Sequence, residues 1–162
     1  MLSKFSEEDL SFMRRALQLA EHAARLGEVP VGAVLVKNGL IIGEGWNAPI
    51  CNHDASHHAE VAAIRDACSA VHNYRLPDTT LYVTLEPCTM CFGAIVHARI
   101  GRIVFAAKEP RAGVLVSQLQ LPKASFYNHH IKVQGGLCAD ESASLLTQFF
   151  RARRGTSSAV PE

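Results

Sequence analysis

The sequence predicts an α/β fold: a mixed five-stranded sheet with helices on both faces. Three observations predict it. Two apolar, strand-like runs, Val31 to Lys37 and Leu40 to Gly45, flank Asn38-Gly39, a strong signal for a tight hairpin, so these strands must be antiparallel. Strand-like and helix-like runs then alternate, which favours parallel pairing through right-handed crossovers. With 162 residues and 48% hydrophobic side chains, the chain can bury a sizeable core and is too apolar to be disordered. Neither a repeat nor a linker divides it. Residues 1–154 are therefore expected to form one domain and residues 155–162 a disordered tail.

The elements follow in order. Ser6 fits an N-cap, with Glu7, Glu8 and Asp9 in the acid-favouring first turn of a helix. Leu10, Met13, Leu17, Ala20 and Ala24 keep helical spacing, Arg14-Arg15 falls on a solvated face, and Gly27 fits the C-terminal stop. After the hairpin, Trp46 reads as core. Asn47 either offers an amide to a pocket or simply turns the chain. Asn52 to Ser56 is polar loop, and a second helix runs from His58 to about Ala70. Thr80 to Thr84 is the third strand, followed by a helix through His97. Arg102 to Ala106 is the fourth strand, and Ile131 to Val133 a short fifth. Lys108 to His130 shows no clear periodicity, and long ordered loops are often functional. Leu145, Leu146, Phe149 and Phe150 mark a terminal helix from Asp140 to near Arg154.

Sixteen basic and fifteen acidic side chains nearly balance, so overall charge does not announce a nucleic-acid partner. No stretch approaches a membrane span and no signal peptide opens the chain, so no membrane partner is expected. Five cysteines, an odd count, fit a reducing cytoplasm with thiols kept free or used as ligands.

Chemistry concentrates in two motifs, His57-His58-Ala59-Glu60 and Pro87-Cys88-Thr89-Met90-Cys91. Together they supply an imidazole, two thiols and a carboxylate. A catalytic zinc ion, one per subunit, needs three protein ligands, a position left for water and a nearby base. Pro87 suits a strand-to-helix corner, which puts Cys88 and Cys91 in the first helical turn, where unpaired N–H groups favour thiolate. His58 and Glu60, two apart, do not share a helix face, so they converge on an ion only if it sits off the helix N-terminus. Two helices aiming their N-termini at one ion would meet that condition. The His-x-Glu spacing selects His58 over His57. Cys51 is the one alternative fourth ligand, and it would make the site closed and structural. Taken alone, Cys88 and Cys91 could be a redox pair. The combination of H-x-E with P-C-x-x-C about thirty residues later is specific, and is the signature of zinc deaminases acting on cytosine or adenine.

With these residues the chain resembles the bacterial tRNA-specific adenosine deaminases of the cytidine and deoxycytidylate deaminase superfamily. The likeness extends over Gly27 to Val34, Gly45-Trp46-Asn47, Asn73 to Leu76, Leu85 to Cys91 and Phe149 to Arg154, nearly the whole chain. It implies a three-layer, cytidine-deaminase-like α/β/α sandwich. It also implies a homodimer that deaminates the adenosine at the anticodon wobble position (34) of an arginine tRNA, with the base flipped into the zinc pocket. Zinc held by His58, Cys88 and Cys91 would activate water, and Glu60 would shuttle the protons. Glu28, Val29, Asn47 and Pro87 match family positions around the base, Glu109 lies near the substrate loop, and Arg151, Arg153 and Arg154 match the part that approaches the tRNA stem.

The arginine cluster can hold phosphates, or can be cations favoured by a helix C-terminus. Phe126, Tyr127, His129 and His130 near Lys123 suit stacking on single-stranded RNA, or loop packing. Lys108 to Gly113 followed by Val114-Leu115-Val116 departs from the family pattern. There Glu109 replaces an aspartate and Pro110 removes a donor, so the resemblance does not carry over contacts to the flanking bases. Two rival readings stand beside this one. One is a deaminase of free guanine, cytosine or a riboflavin precursor, and the other is a non-catalytic zinc-stabilised RNA-binding subunit.

Overall fold

The computed structural model describes residues 4–156. Its elements are α1 (Glu7–Arg25), β1 (Gly32–Lys37), β2 (Leu40–Trp46), α2 (Ala59–Val71), β3 (Thr79–Leu85), α3 (Thr89–His97), β4 (Arg102–Ala107), a 3-10 turn (Leu121–Lys123), β5 (Lys132–Gly135) and α4 (Ala139–Thr156). The sheet order is β2-β1-β3-β4-β5. β1 pairs antiparallel with β2 and β3, while β3, β4 and β5 run parallel, so the expected mixed five-stranded sheet is present.

The hairpin turn has Asn38 and Gly39 at φ 52° and 76°. Two left-handed residues match the twist of the flanking strands, which is why this dipeptide was legible as a hairpin. Alternation along the strands then loads both faces of the sheet. Leu35, Leu81, Val83, Ile103 and Phe105 pack with Ala63, Ala67, Phe92 and Ile95 of α2 and α3. Val34, Val36, Tyr82 and Val104 pack with Met13, Ala16 and Leu19 of α1 on the other face. α4 lies against β4, β3 and α1, completing that layer. Close approach of α2 to β2 depends on glycine. A Cβ at Gly43 would overlap the Ala63 carbonyl, and one at Gly45 the Ala59 carbonyl.

Several local expectations differ. Asp9 is not merely a favourable first-turn acid. It is 5% exposed and holds Tyr82 and Arg102. Arg15 is not simply solvated, since it pairs with Glu44 at 2.5 Å and 3.1 Å. β5 starts one residue later than expected and runs on to Gly135, because it pairs with β4 through Phe105. α4 continues to Thr156, past the expected end of the domain at residue 154. The rest of the expected tail, residues 157–162, lies outside the described residues.

Candidate metal centre and active site

His58 is the N-cap of α2 and Cys88 the N-cap of α3, both in extended backbone. Cap side chains normally bond their own helix. Neither of these does, so both are available to reach across. Cys88 therefore stands just before the helix instead of inside its first turn, and buried Cys91 follows at the third helical position. The two helix N-termini do meet. His58 Nδ1 lies 3.6 Å from Cys88 Sγ and 3.5 Å from Cys91 Sγ, and the three ligand atoms are all within 4.8 Å of one another.

These spacings test the fit to zinc. Bonds of about 2.0–2.1 Å to nitrogen and about 2.3 Å to sulfur at a tetrahedral ion set N and S roughly 3.6 Å apart. The observed separations match, and the donor set suits zinc. Among the described residues no fourth side chain joins the group. Cys51 is exposed, with its thiol toward the Leu26 carbonyl, and the His57 ring lies beside the Asn52 amide. The Cys88 thiol is drawn down to about 3, first by the Cys91 thiol that donates to it and then by His58. Cys91, beside that thiolate and buried, is pushed up.

Glu60 occupies the first turn of α2, two residues after His58 and outside the ligand group. Its side chain is buried, at 4% exposure, with its carboxylate within hydrogen-bonding reach of Cys91. Burial is the dominant influence and pushes its carboxyl up. An unbound acid held this close can take and return protons at a metal-activated water.

The other expected site residues fall into three groups. Asn47 opens the loop that delivers His58. The Asn47 N–H donates to the Val31 carbonyl, and the Ala48 N–H to the His57 carbonyl. The Asn47 side chain is half-buried, and Val29 packs on the core. Glu28 is 1% exposed, and its carboxylate accepts from Ile50 N (3.3 Å) and Cys51 N (2.7 Å). Burial works to raise this carboxyl, and the N–H donors outweigh it. Glu28 thus builds the loop before His58. Pro87 is buried, and its carbonyl accepts from Val114 N.

The third group lies along a groove of about 590 Å³ between α4 and the start of the 108–130 segment. Lys108, Glu109, Pro110, Arg111, Phe150, Arg153 and Arg154 all line it, together with Leu85 and Ala107 from the strand ends. Arg151 is exposed but does not line it. Of the aromatic cluster, Tyr127 packs edge-on against Phe92 and His129 bonds the Ile100 carbonyl, so both serve loop packing, while Phe126 is 70% exposed. Val114 and Leu115 are core residues at 3% exposure each.

Sequence reasoning missed Glu86. It is 2% exposed, and its carboxylate accepts from the N–H groups of Glu109, Leu115, Val116 and Ser117 and from the Ser117 hydroxyl. The one available signal was an acid interposed between an apolar strand and Pro87.

Comparisons with known proteins show the family. The family model described as the cytidine and deoxycytidylate deaminase zinc-binding region matches residues 6–107. The tRNA-specific adenosine deaminase of Haemophilus influenzae is 49% identical over 92% of this chain and 87% of its own. That of Buchnera aphidicola is 45% identical, over 91% of each. A structure solved in studies of A-to-I editing by tRNA:A34 deaminases superposes with a TM-score of 0.82 at 43% identity, covering 84% of this chain and 99% of its own. A guanine deaminase from Bacillus subtilis superposes with a TM-score of 0.60 at 44% identity, over 64% of this chain and 66% of its own. On the matched motifs, the fold and these full-length likenesses, the chain belongs to the tRNA-specific adenosine deaminases, within the zinc-binding cytidine and deoxycytidylate deaminases.

Proposed function

We propose that the protein converts adenosine to inosine by zinc-dependent hydrolytic deamination at wobble position 34 of a tRNA, an arginine tRNA among them. It would act as a homodimer in the cytoplasm. The observation that carries this reading is a three-ligand His58-Cys88-Cys91 group beside a buried acid, Glu60, that is not one of the ligands. A purely structural metal site has no use for such an acid.

His58, Cys88 and Cys91 would hold the zinc, which lowers the pKa of a bound water and so supplies the nucleophile. Glu60 accepts a proton from the attacking water and delivers it to N1 of adenine, which makes C6 electrophilic. After the water oxygen bonds to C6, Glu60 takes the remaining proton from that oxygen and passes it to the exocyclic amine, so that the C6–N bond breaks, ammonia leaves and C6 becomes a carbonyl. Adenosine and water become inosine and ammonia, with one carboxylate serving as base and then acid. Asn47 is suited to hydrogen-bond the nucleoside, and Val29 and Pro87 are assigned to the surroundings of the base. Lys108, Arg111, Arg153 and Arg154 give the groove the charge that phosphates require, and Glu109 is the one acid among the described residues that line it. No helix among the described residues is long and apolar enough to cross a membrane.

The test is sequencing of a total tRNA pool after incubation with the protein, with ammonia release from free guanine and cytosine measured alongside. A-to-I conversion confined to position 34 is expected. Ammonia from free bases without inosine in tRNA would overturn the assignment in favour of a free-base deaminase.

A further inference from the structure

Glu86 plays no part in the proton chemistry, yet it is among the most densely bonded side chains of the fold. Two of its donors sit at opposite ends of one irregular segment: Glu109 N at 3.1 Å, then Ser117 N at 3.0 Å, with Leu115 N and Val116 N at 3.0 Å and 2.9 Å between them. The Ser117 hydroxyl adds a short bond of 2.5 Å. Three successive N–H groups converging on one oxygen form an anion-binding concavity, with the anion supplied by the protein itself. The segment closes around the carboxylate so tightly that a Cβ on Gly113 would overlap it. The chain on either side of Glu86 is also tied down. Its own N–H bonds the Ala107 carbonyl, and the Pro87 carbonyl accepts from Val114 N. No sheet ladder holds residues 109–117, so this carboxylate replaces one.

Position makes the arrangement consequential. Glu86 lies between Leu85, which lines the cationic groove, and Pro87-Cys88, which leads to the metal group. The held segment supplies Glu109, Pro110 and Arg111 to the groove wall. We propose that Glu86 is a positioning residue that fixes the 109–117 loop, and with it one wall of the RNA groove, in register with the metal-ligating strand end. This rests on the tRNA reading above. The proposal assigns Glu86 to substrate placement, leaving bond-making at the adenine to Glu60.

The experiment uses zinc-loaded Glu86→Gln and, as an independent disturbance of the same contact, Gly113→Ala. Zinc per chain, amide hydrogen exchange, and KM and kcat on an anticodon stem-loop carrying A34 are measured. Both variants should keep their zinc and lose exchange protection at the amides of residues 109 and 115–117. KM should rise about ten-fold, the scale of one lost charge-assisted hydrogen bond, with kcat changing far less. Unchanged exchange at those amides, unchanged KM once protection is lost, or zinc loss with collapse of kcat would each overturn it. If Glu86→Gln fails to fold, Ser117→Ala removes one bond and leaves the backbone donors. It is expected to give a smaller shift in the same direction, and no shift would count against the proposal. A wild-type protein inert on the stem-loop would overturn the tRNA reading, while the exchange measurements would still decide whether Glu86 holds the loop.

Discussion

Glu60 and Glu86 stand symmetrically, one two residues after the ligand His58 and the other two residues before the ligand Cys88, and both are buried. Their surroundings separate them. Glu86 is met by four backbone N–H groups and a hydroxyl, which outweigh burial and hold its carboxyl low. Glu60 has far fewer donors, so burial wins and its carboxyl is pushed up. One carboxylate is thereby fixed as an anion for architecture, and the other is left able to exchange a proton. Glu60→Gln should retain zinc by metal analysis and lower kcat on a stem-loop substrate by about 10²–10⁴-fold, the usual contribution of a general acid–base group. The ligands make a second prediction. In zinc-loaded protein, exposed Cys51 should react with a thiol reagent without chelation, though slowly because the Glu28 carboxylate beside it pushes its thiol up, while Cys88 and Cys91 react only after chelation. His58, Cys88, Cys91 and Glu60 were legible in the sequence because metal chemistry demands those residue types at fixed spacing. Glu86 was not, because a single acid has no period and its five donors come from residues 23 to 31 positions away.

At the scale of elements, the site depends on where two helices begin. α2 starts at Ala59 with an N-cap histidine that makes no cap hydrogen bond, so something else must fix the helix end. β2 does this by carrying no side chain at Gly43 and Gly45, where the α2 backbone lies against the strand. Gly45→Ala would place a methyl group against the Ala59 carbonyl and Ala63 N–H, at the turn that carries Glu60. It should cost about 1–3 kcal/mol in denaturant melts, as overpacking does, and should weaken zinc retention against a chelator. Gly39→Ala is the control. Nothing lies within 4 Å of its Cβ direction, so only the strain of a positive φ is added and zinc retention should hold. The hairpin itself was legible because Asn38-Gly39 encodes a turn locally. The glycines of β2 gave no such signal, since a missing side chain matters only once tertiary packing brings a helix onto it.

Across the whole molecule, one buried cluster ties the first helix to the far side of the sheet. Asp9 of α1 accepts from Tyr82 of β3 at 2.6 Å and from Arg102 of β4 at 2.9 Å and 3.0 Å, and Arg102 Nε reaches Gln134 of β5 at 2.8 Å. The same Asp9 completes the capping box with Ser6. Sequence pattern placed Asp9 in a first helical turn but could not tell that its carboxylate is held by side chains of two strands. The Arg102 guanidinium beside it holds the Asp9 carboxyl well below its usual 3.8, with Tyr82 and the Ser6 N–H adding to the effect. A depressed folded-state pKa means the stabilisation is fully present above about pH 4. It is lost progressively as pH falls below that value toward the folded pKa. Asp9→Asn should therefore destabilise the protein at pH 7 by about 2–3 kcal/mol. That is below the roughly 3–5 kcal/mol of a fully buried broken pair, because the Arg102 side chain is 23% exposed and partly screened. The melting point should drop by roughly 4–12 °C. Acid also strips zinc from its thiolate and imidazole ligands, but that loss acts on both chains alike. The informative quantity is therefore the stability gap between wild type and Asp9→Asn in denaturant titrations at pH 7 and near pH 3. A gap that narrows at the lower pH is the expected result, and a constant gap would mean that Asp9 acts through packing rather than charge.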